Sequence, residues 1–156
     1  MAETAYVAFG SNLGDSKKNI ETAVDALRNV PGIKVSAVSR LYKTKPWGYE
    51  DQSDFLNACA RLEVDISAEV LLGACLGIEA GMGRVRKITN GPRIIDIDVL
   101  MYGSEVRNTK ELKLPHPRIK ERDFVMVPLL DVAEEYIKKE LKDALDNLSE
   151  RYIISE

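Results

Sequence analysis

The chain has 156 residues, 45% hydrophobic and 30% charged, with a formal net charge of −3 at pH 7. That balance fits one folded domain, residues 1–156, and excludes a disordered chain. It also argues against a general nucleic-acid binder, which carries a basic excess. No apolar stretch approaches the roughly 18 residues needed to span a bilayer. The start, Met1-Ala-Glu-Thr, has neither the basic beginning nor the apolar core of a signal peptide. Cys59 and Cys75 lie in apolar segments and read as small core residues rather than a disulfide. The expected compartment is therefore the cytoplasm.

Residues 4–9, Thr-Ala-Tyr-Val-Ala-Phe, predict a buried strand ended by Gly10. Residues 10–15 form a turn, and Ser16 is the expected N-cap of a first helix with Ile20, Val24 and Leu27 on one face. Pro31-Gly32 ends it. A second strand is expected over 33–42, with Ile33, Val35, Ala37, Ser39 and Leu41 facing inward. Residues 45–53 have the Pro, Gly and polar content of a long loop. A third strand spans 55–64, with Leu56, Ala58, Ala60 and Leu62 on one face. Ser67 caps a second helix bearing the stripe Val70, Leu71, Ala74, Cys75 and Ile78, and Gly81 and Gly83 end it. A fourth strand covers 94–102. The rest holds a short hairpin near 102–104, an apolar run over 124–132 and a helix over 137–149. The order β-α-β-β-α-β predicts an α+β, ferredoxin-like fold: an antiparallel sheet with two helices on one face and a C-terminal extension.

The chemistry concentrates in one stretch. From 83 to 93 the chain carries Arg84, Arg86, Lys87 and Arg93 and no acid; three residues later come Asp96 and Asp98. Residues two apart on a strand share a face, so the two aspartates project together and repel. Such a pair is either a solvated face or a site for a divalent cation, which removes the repulsion. Oxygen donors favour Mg²⁺, whose usual shell is one or two carboxylates plus substrate phosphates. A basic loop alone is often merely solvated, but arginine forks beside an Asp-x-Asp pair suit phosphate oxygens. Gly81, Gly83 and Gly91 would let that loop move, and the glycine-rich P-loop pattern is absent. The one histidine, His116, stands between Pro115 and Pro117, and is either structural or aimed at a ligand. Glu79 lies in the last turn of its helix, where the dipole disfavours a carboxylate, which hints at a polar partner. Trp47 is either a stacking surface or a loop anchor.

Gly91-Pro-Arg-Ile-Ile-Asp-Ile-Asp-Val-Leu100 resembles the signature of the 6-hydroxymethyl-7,8-dihydropterin pyrophosphokinase family of folate biosynthesis. The resemblance runs from Tyr6 to about Ala133. It includes Phe9-Gly-Ser-Asn-Leu-Gly14, Tyr42-Lys-Thr44, Asp54-Phe-Leu-Asn57, Ile78-Glu79, Gly83-Arg-Val-Arg-Lys87 and Leu114-Pro-His-Pro-Arg118. It implies a ferredoxin-like fold and pyrophosphoryl transfer from ATP to the pterin alcohol, with AMP leaving and two Mg²⁺ ions on Asp96 and Asp98. Gly10, Thr44 (through its backbone), Pro46, Trp47, Phe55, Asn57 and Phe124 would form the pterin pocket, the two phenylalanines sandwiching the ring. Leu72, Glu79, Arg84, Arg86, Arg93, Val99, His116, Lys120 and Arg122 would serve ATP, with Arg84 and Arg93 nearest the chemistry. Loops over 10–16, 45–53 and 83–91 would close over the substrates.

Three positions depart from the family pattern. Asn90 replaces an aromatic, Thr89 replaces a charged residue, and Glu111 replaces an ATP-side arginine of some members. The implied partners are the two small molecules, with no nucleic acid and no membrane, and a monomer is expected. An RNA-binding module is the main alternative for this strand order, but the net charge is acidic and the central strands offer few aromatics for base stacking. A regulatory domain that binds nucleotide without catalysis is a third reading.

Overall fold

Alternation of side chains across extended backbone explains the layering of this molecule. The computed structural model describes residues 2–84 and 91–155. β1 (Glu3–Ser11) lies between β4 (Phe55–Val64) and β5 (Asp96–Tyr102), antiparallel to both. β2 (Ile33–Val38) and β3 (Tyr42–Thr44) both pair with β4, β2 along residues 60–64 and β3 along residues 55–57. β8 (Ile153–Ser155) adds to β3, which gives the order β5-β1-β4-β3-β8. The four expected strands thus stand in the ferredoxin-like arrangement, the fourth beside the first and the second outermost. A separate two-stranded hairpin joins β6 (Arg107–Asn108) and β7 (Lys113–Leu114).

Ala5, Val7 and Phe9 of β1, Ala58, Ala60 and Leu62 of β4, and Ile97 and Val99 of β5 face one way. There they bury against Ile20, Val24 and Leu27 of α1 (Ser16–Arg28) and Leu71 and Cys75 of α2 (Ala68–Gly81). The alternate residues Tyr6, Cys59 and Leu100 face the other way. They pack on Val125, Met126 and Leu129 of α3 (Asp123–Val132) and on Ile137 and Leu141 of α4 (Glu135–Asp146). Among the described residues four helices therefore cover the sheet, two on each face; the sequence predicts the first pair and the C-terminal helix, and reads α3 only as an apolar run.

Local corrections have physical causes. Asp15, not Ser16, is the N-cap of α1: its carboxylate accepts from the Lys18 amide at 3.2 Å, and Ser16 is already helical. The strand expected over 33–42 breaks after Val38. A bulge between Val35 and Ala37 turns Ala37 toward the α3 layer, while Ile33 and Val35 stay with the α1 layer. Ser39 leaves the ladder and accepts the Cys59 amide on its hydroxyl at 2.8 Å. The apolar run over 124–132 is helix α3 despite Pro128 within it. Near 102–104 there is only a turn: Tyr102 ends β5 and Gly103-Ser104 turn, with Gly103 at φ +52°; the hairpin follows them. The last helix runs slightly earlier in the chain than expected, and β5 begins at Asp96 rather than 94.

Candidate active site

On β5, Ile97 and Val99 turn into the α1 layer, which leaves Asp96 and Asp98 on the α3 face. Gly10 of β1 and Phe55 and Asn57 of β4 share that face by the same alternation. The loop after β3 brings Trp47 over them, and the start of α3 brings Arg122 and Phe124. Together with Thr44 and Arg93 these residues line one cavity. A second cavity opens on the far side of β5, lined by Leu72, Glu79, Val99, Glu111 and His116. Asp98 lines both.

The floor of the first cavity depends on a missing side chain. A Cβ on Gly10 would come within 3.1 Å of Asn57 Oδ1 and close the space above the strand. Asn57 Nδ2 donates to Thr44 Oγ1 at 2.6 Å, so the amide is held in one orientation and its oxygen faces the cavity. Trp47 packs beneath two guanidinium groups, Arg118 at 5.3 Å and Arg122 at 4.5 Å from its ring centroid. It is both a loop anchor and a cavity wall.

The charges are tightly organised. Arg84 Nη1 donates to Glu79 Oε2 at 2.6 Å and to Asp96 Oδ1 at 2.7 Å, while Arg93 Nη1 donates to Asp96 Oδ2 at 2.7 Å. Glu79 also accepts the Ile97 amide at 2.7 Å, which supplies the polar partner that its misfit with the helix dipole implied. Asp98 differs from its neighbour. Burial, and then the nearby charge of Asp96, push its carboxyl up to about 7, with Arg122 and Arg93 opposing. Burial, and then Arg122, shift His116 down, which favours its neutral ring. Its Nδ1 accepts the Arg118 amide at 3.2 Å, which places the ring proton on Nε2. Burial raises both thiols, Cys75 to about 12, so neither is a nucleophile.

Among the described residues no group of three or more His, Cys, Asp or Glu side chains converges. Asp96 and Asp98 offer carboxylate oxygens on one strand face, a chemistry that would fit a cation keeping water and phosphate ligands, as Mg²⁺ does.

A family model for 7,8-dihydro-6-hydroxymethylpterin-pyrophosphokinase (HPPK) matches residues 6–134. The chain belongs to this family. It is 45% identical over 133 residues to the 2-amino-4-hydroxy-6-hydroxymethyldihydropteridine pyrophosphokinase of Methylorubrum extorquens, covering 85% of this chain and 84% of that one. It is 43% identical over 148 residues to the folic acid synthesis protein fol1 of Schizosaccharomyces pombe, covering 92% of this chain. There it spans only 20% of the relative's length. A crystal structure of HPPK-DHPS in complex with substrates superposes with a TM-score of 0.70 at 13% identity, over 93% of this chain and 43% of that one. At that identity the likeness bears on the fold.

Of the residues expected in a pterin pocket, Gly10, Thr44, Trp47, Phe55, Asn57 and Phe124 meet in the first cavity. Pro46 instead lies outward, beside Glu50 and Tyr152. Of those expected to serve ATP, Leu72, Glu79, Val99 and His116 meet in the second cavity. Arg93 and Arg122 face the first cavity, and Arg84 sits buried under Glu79 and Asp96. Lys120 pairs with Glu140 of α4 and lines neither. Arg86, Thr89 and Asn90, with most of the loop expected over 83–91, lie outside the described residues.

Sequence reasoning assigned no role to Asn12, which ties three segments together. Its Nδ2 donates to Gln52 Oε1 and to the Ser53 carbonyl, both at 2.9 Å, and its Oδ1 accepts the Arg93 amide at 2.8 Å. The signal was present: Asn12 stands inside the Phe9–Gly14 motif, in a turn that needs no buried amide of its own.

Proposed function

We propose that this chain, acting as one pyrophosphokinase domain, transfers the pyrophosphoryl group of ATP to the hydroxymethyl oxygen of 6-hydroxymethyl-7,8-dihydropterin. The pterin oxygen bonds to the β-phosphorus, the bond from that phosphorus to the α–β bridging oxygen breaks, and AMP departs with the bridging oxygen while the hydroxyl loses its proton. The reading rests above all on the position of Asp98, which borders both cavities. A flat ring in one cavity and a nucleotide in the other would meet at that carboxylate.

Phe55 and Phe124 would clasp the ring, and Asn57, oriented by Thr44, would read its polar edge. Leu72, Val99 and His116 would hold the nucleotide. Asp96 and Asp98 would hold two Mg²⁺ ions, whose chemistry is to neutralise the triphosphate and acidify the attacking hydroxyl. Arg93 lies against Asp96 on the cavity wall and would turn its remaining N–H groups to phosphate oxygens, while Arg84, buried against Glu79 and Asp96, would act by orienting Asp96. Phosphoryl transfer leaves a protein little covalent work beyond alignment and charge neutralisation, which is what this side-chain set provides. The chain is read as a monomer. Its free, buried Cys59 and Cys75 fit the reducing cytoplasm. Incubation with Mg-ATP and the pterin alcohol, with nucleotides resolved by chromatography, tests the proposal. It expects AMP in step with pterin consumption; ADP instead would overturn it.

A further inference from the structure

Residues 150–155 are joined to the walls of the first cavity by several separate contacts. β8 pairs with β3, Ser155 opposite Lys43 and Ile153 opposite Thr44. The Lys45 amide donates to the Tyr152 carbonyl at 2.7 Å. The Tyr152 ring meets Phe124 edge to face, with centroids 5.9 Å apart and planes at 78°. Asp123, between Arg122 and Phe124, accepts the amides of Tyr152 and Ile153 on Oδ2 at 2.8 and 3.0 Å. Asp123 is only 2% exposed.

A buried carboxylate costs free energy that its hydrogen bonds must offset. The strand it anchors buries little in return: Ile154 is 51% exposed and Ile153 is half-buried. Core packing therefore does not account for this arrangement. Its contacts fall on Thr44, Lys45 and Phe124, the outer wall of the cavity that would take the pterin. An edge-on ring restricts the swing of Phe124, and the β8 ladder fixes the end of β3 where Thr44 orients Asn57.

We infer that Asp123 and Tyr152 are positioning residues that set affinity for the flat-ring substrate, Asp123 by docking β8 and Tyr152 by bracing Phe124. The inference rests on the pterin reading of the first cavity. On the full chain, Tyr152→Ala should raise the KM for hydroxymethyl-dihydropterin about tenfold while kcat and the KM for ATP stay within about twofold. Tyr152→Phe keeps the ring and loses only the hydroxyl bond to Glu150, 2.8 Å in length, so it should restore the wild-type KM. Asp123→Ala should behave like Tyr152→Ala; should that variant not fold, the Tyr152 pair carries the test alone. An unchanged pterin KM in Tyr152→Ala, or parallel losses in kcat and both KM values, would overturn the inference. Equilibrium binding of 6-hydroxymethylpterin, followed by its own fluorescence, separates this from the activity. A wild-type chain that binds the pterin without turnover sinks the pyrophosphokinase reading, and the ratio of Tyr152→Ala to wild-type Kd still decides the role of β8. A wild-type chain that does not bind the pterin overturns both.

Discussion

On the sheet face covered by α3 and α4, one end carries Tyr6, Cys59 and Leu100, each at most 1% exposed, packed under Met126, Leu129 and Leu141. The other end of the same face carries Gly10, Asn57, Asp96 and Asp98 around an open cavity. The same three strands, β1, β4 and β5, supply both ends with the same alternation. Only the residue types differ. At the first end apolar burial supplies stability; at the second the strands present polar groups that need partners. Asn57 finds Thr44, and Asp96 finds two arginines. Asp98 is left with a carboxyl held near neutrality by burial and by its neighbour. The site is thus a core left half-filled, with the raised carboxyl of Asp98 where a cation and phosphates would fit.

That contrast can be broken most sharply at the polar end. Asp98→Ala or Asp96→Ala should lower kcat roughly a thousandfold, because each would remove a shared cation ligand rather than core packing. Thermal unfolding of Asp98→Ala should occur no earlier than wild type, since a carboxylate buried at a cost is removed. Near-normal turnover in either variant would sink the site assignment. At the apolar end the pattern inverts. Leu129→Ala, truncating a side chain with no exposed surface, should cost about 2–5 kcal/mol in denaturant unfolding while kcat per folded molecule is unchanged.

A smaller effect sharpens the division between the two cavities. Asn57→Ala should raise the KM for the pterin by about 10- to 100-fold, the range of one well-held hydrogen bond, and leave the KM for ATP unchanged. A shift in the ATP value of similar size would contradict separate pockets. The smallest effect is in pH. Asp98 is raised to about 7, so below that pH it is mostly neutral and a cation binding there would have to displace its proton. Mg²⁺ affinity for the chain should weaken by up to about tenfold per pH unit below 7 and level off above it, as titration calorimetry would show. A flat profile from pH 5 to 8 would show that Asp98 is not raised.

The strands were legible because their apolar residues alternate over long runs, and the aspartate pair because a period of two places both carboxylates on one face. Three features resisted for identifiable reasons. The break in the second strand depends on a bulge at Val35–Ala37 that changes which face Ala37 meets, and alternation in the residues themselves continues through it. Of the second helical layer, α3 reads from sequence only as an apolar run over 124–132, because its residues show no clear helical stripe; it is a ten-residue helix with Pro128 inside it, packed on the sheet through Val125, Met126 and Leu129. β8 is three residues long and is defined by its anchors, Asp123 and β3, rather than by its own pattern. Most of the pocket residues followed from the motifs, whereas the pairing of Arg84 with Glu79 and Asp96 required the packing of α2 against β5.

The central claim concerns which bond of ATP breaks, and label position tests it most directly. ATP carrying ³²P only at the β-phosphorus would be incubated with the chain, Mg²⁺ and hydroxymethyl-dihydropterin. Attack at the β-phosphorus puts the label into the pterin product and leaves AMP unlabelled. Label remaining in ADP beside an unlabelled pterin monophosphate would mean γ-phosphoryl transfer, and would contradict the account.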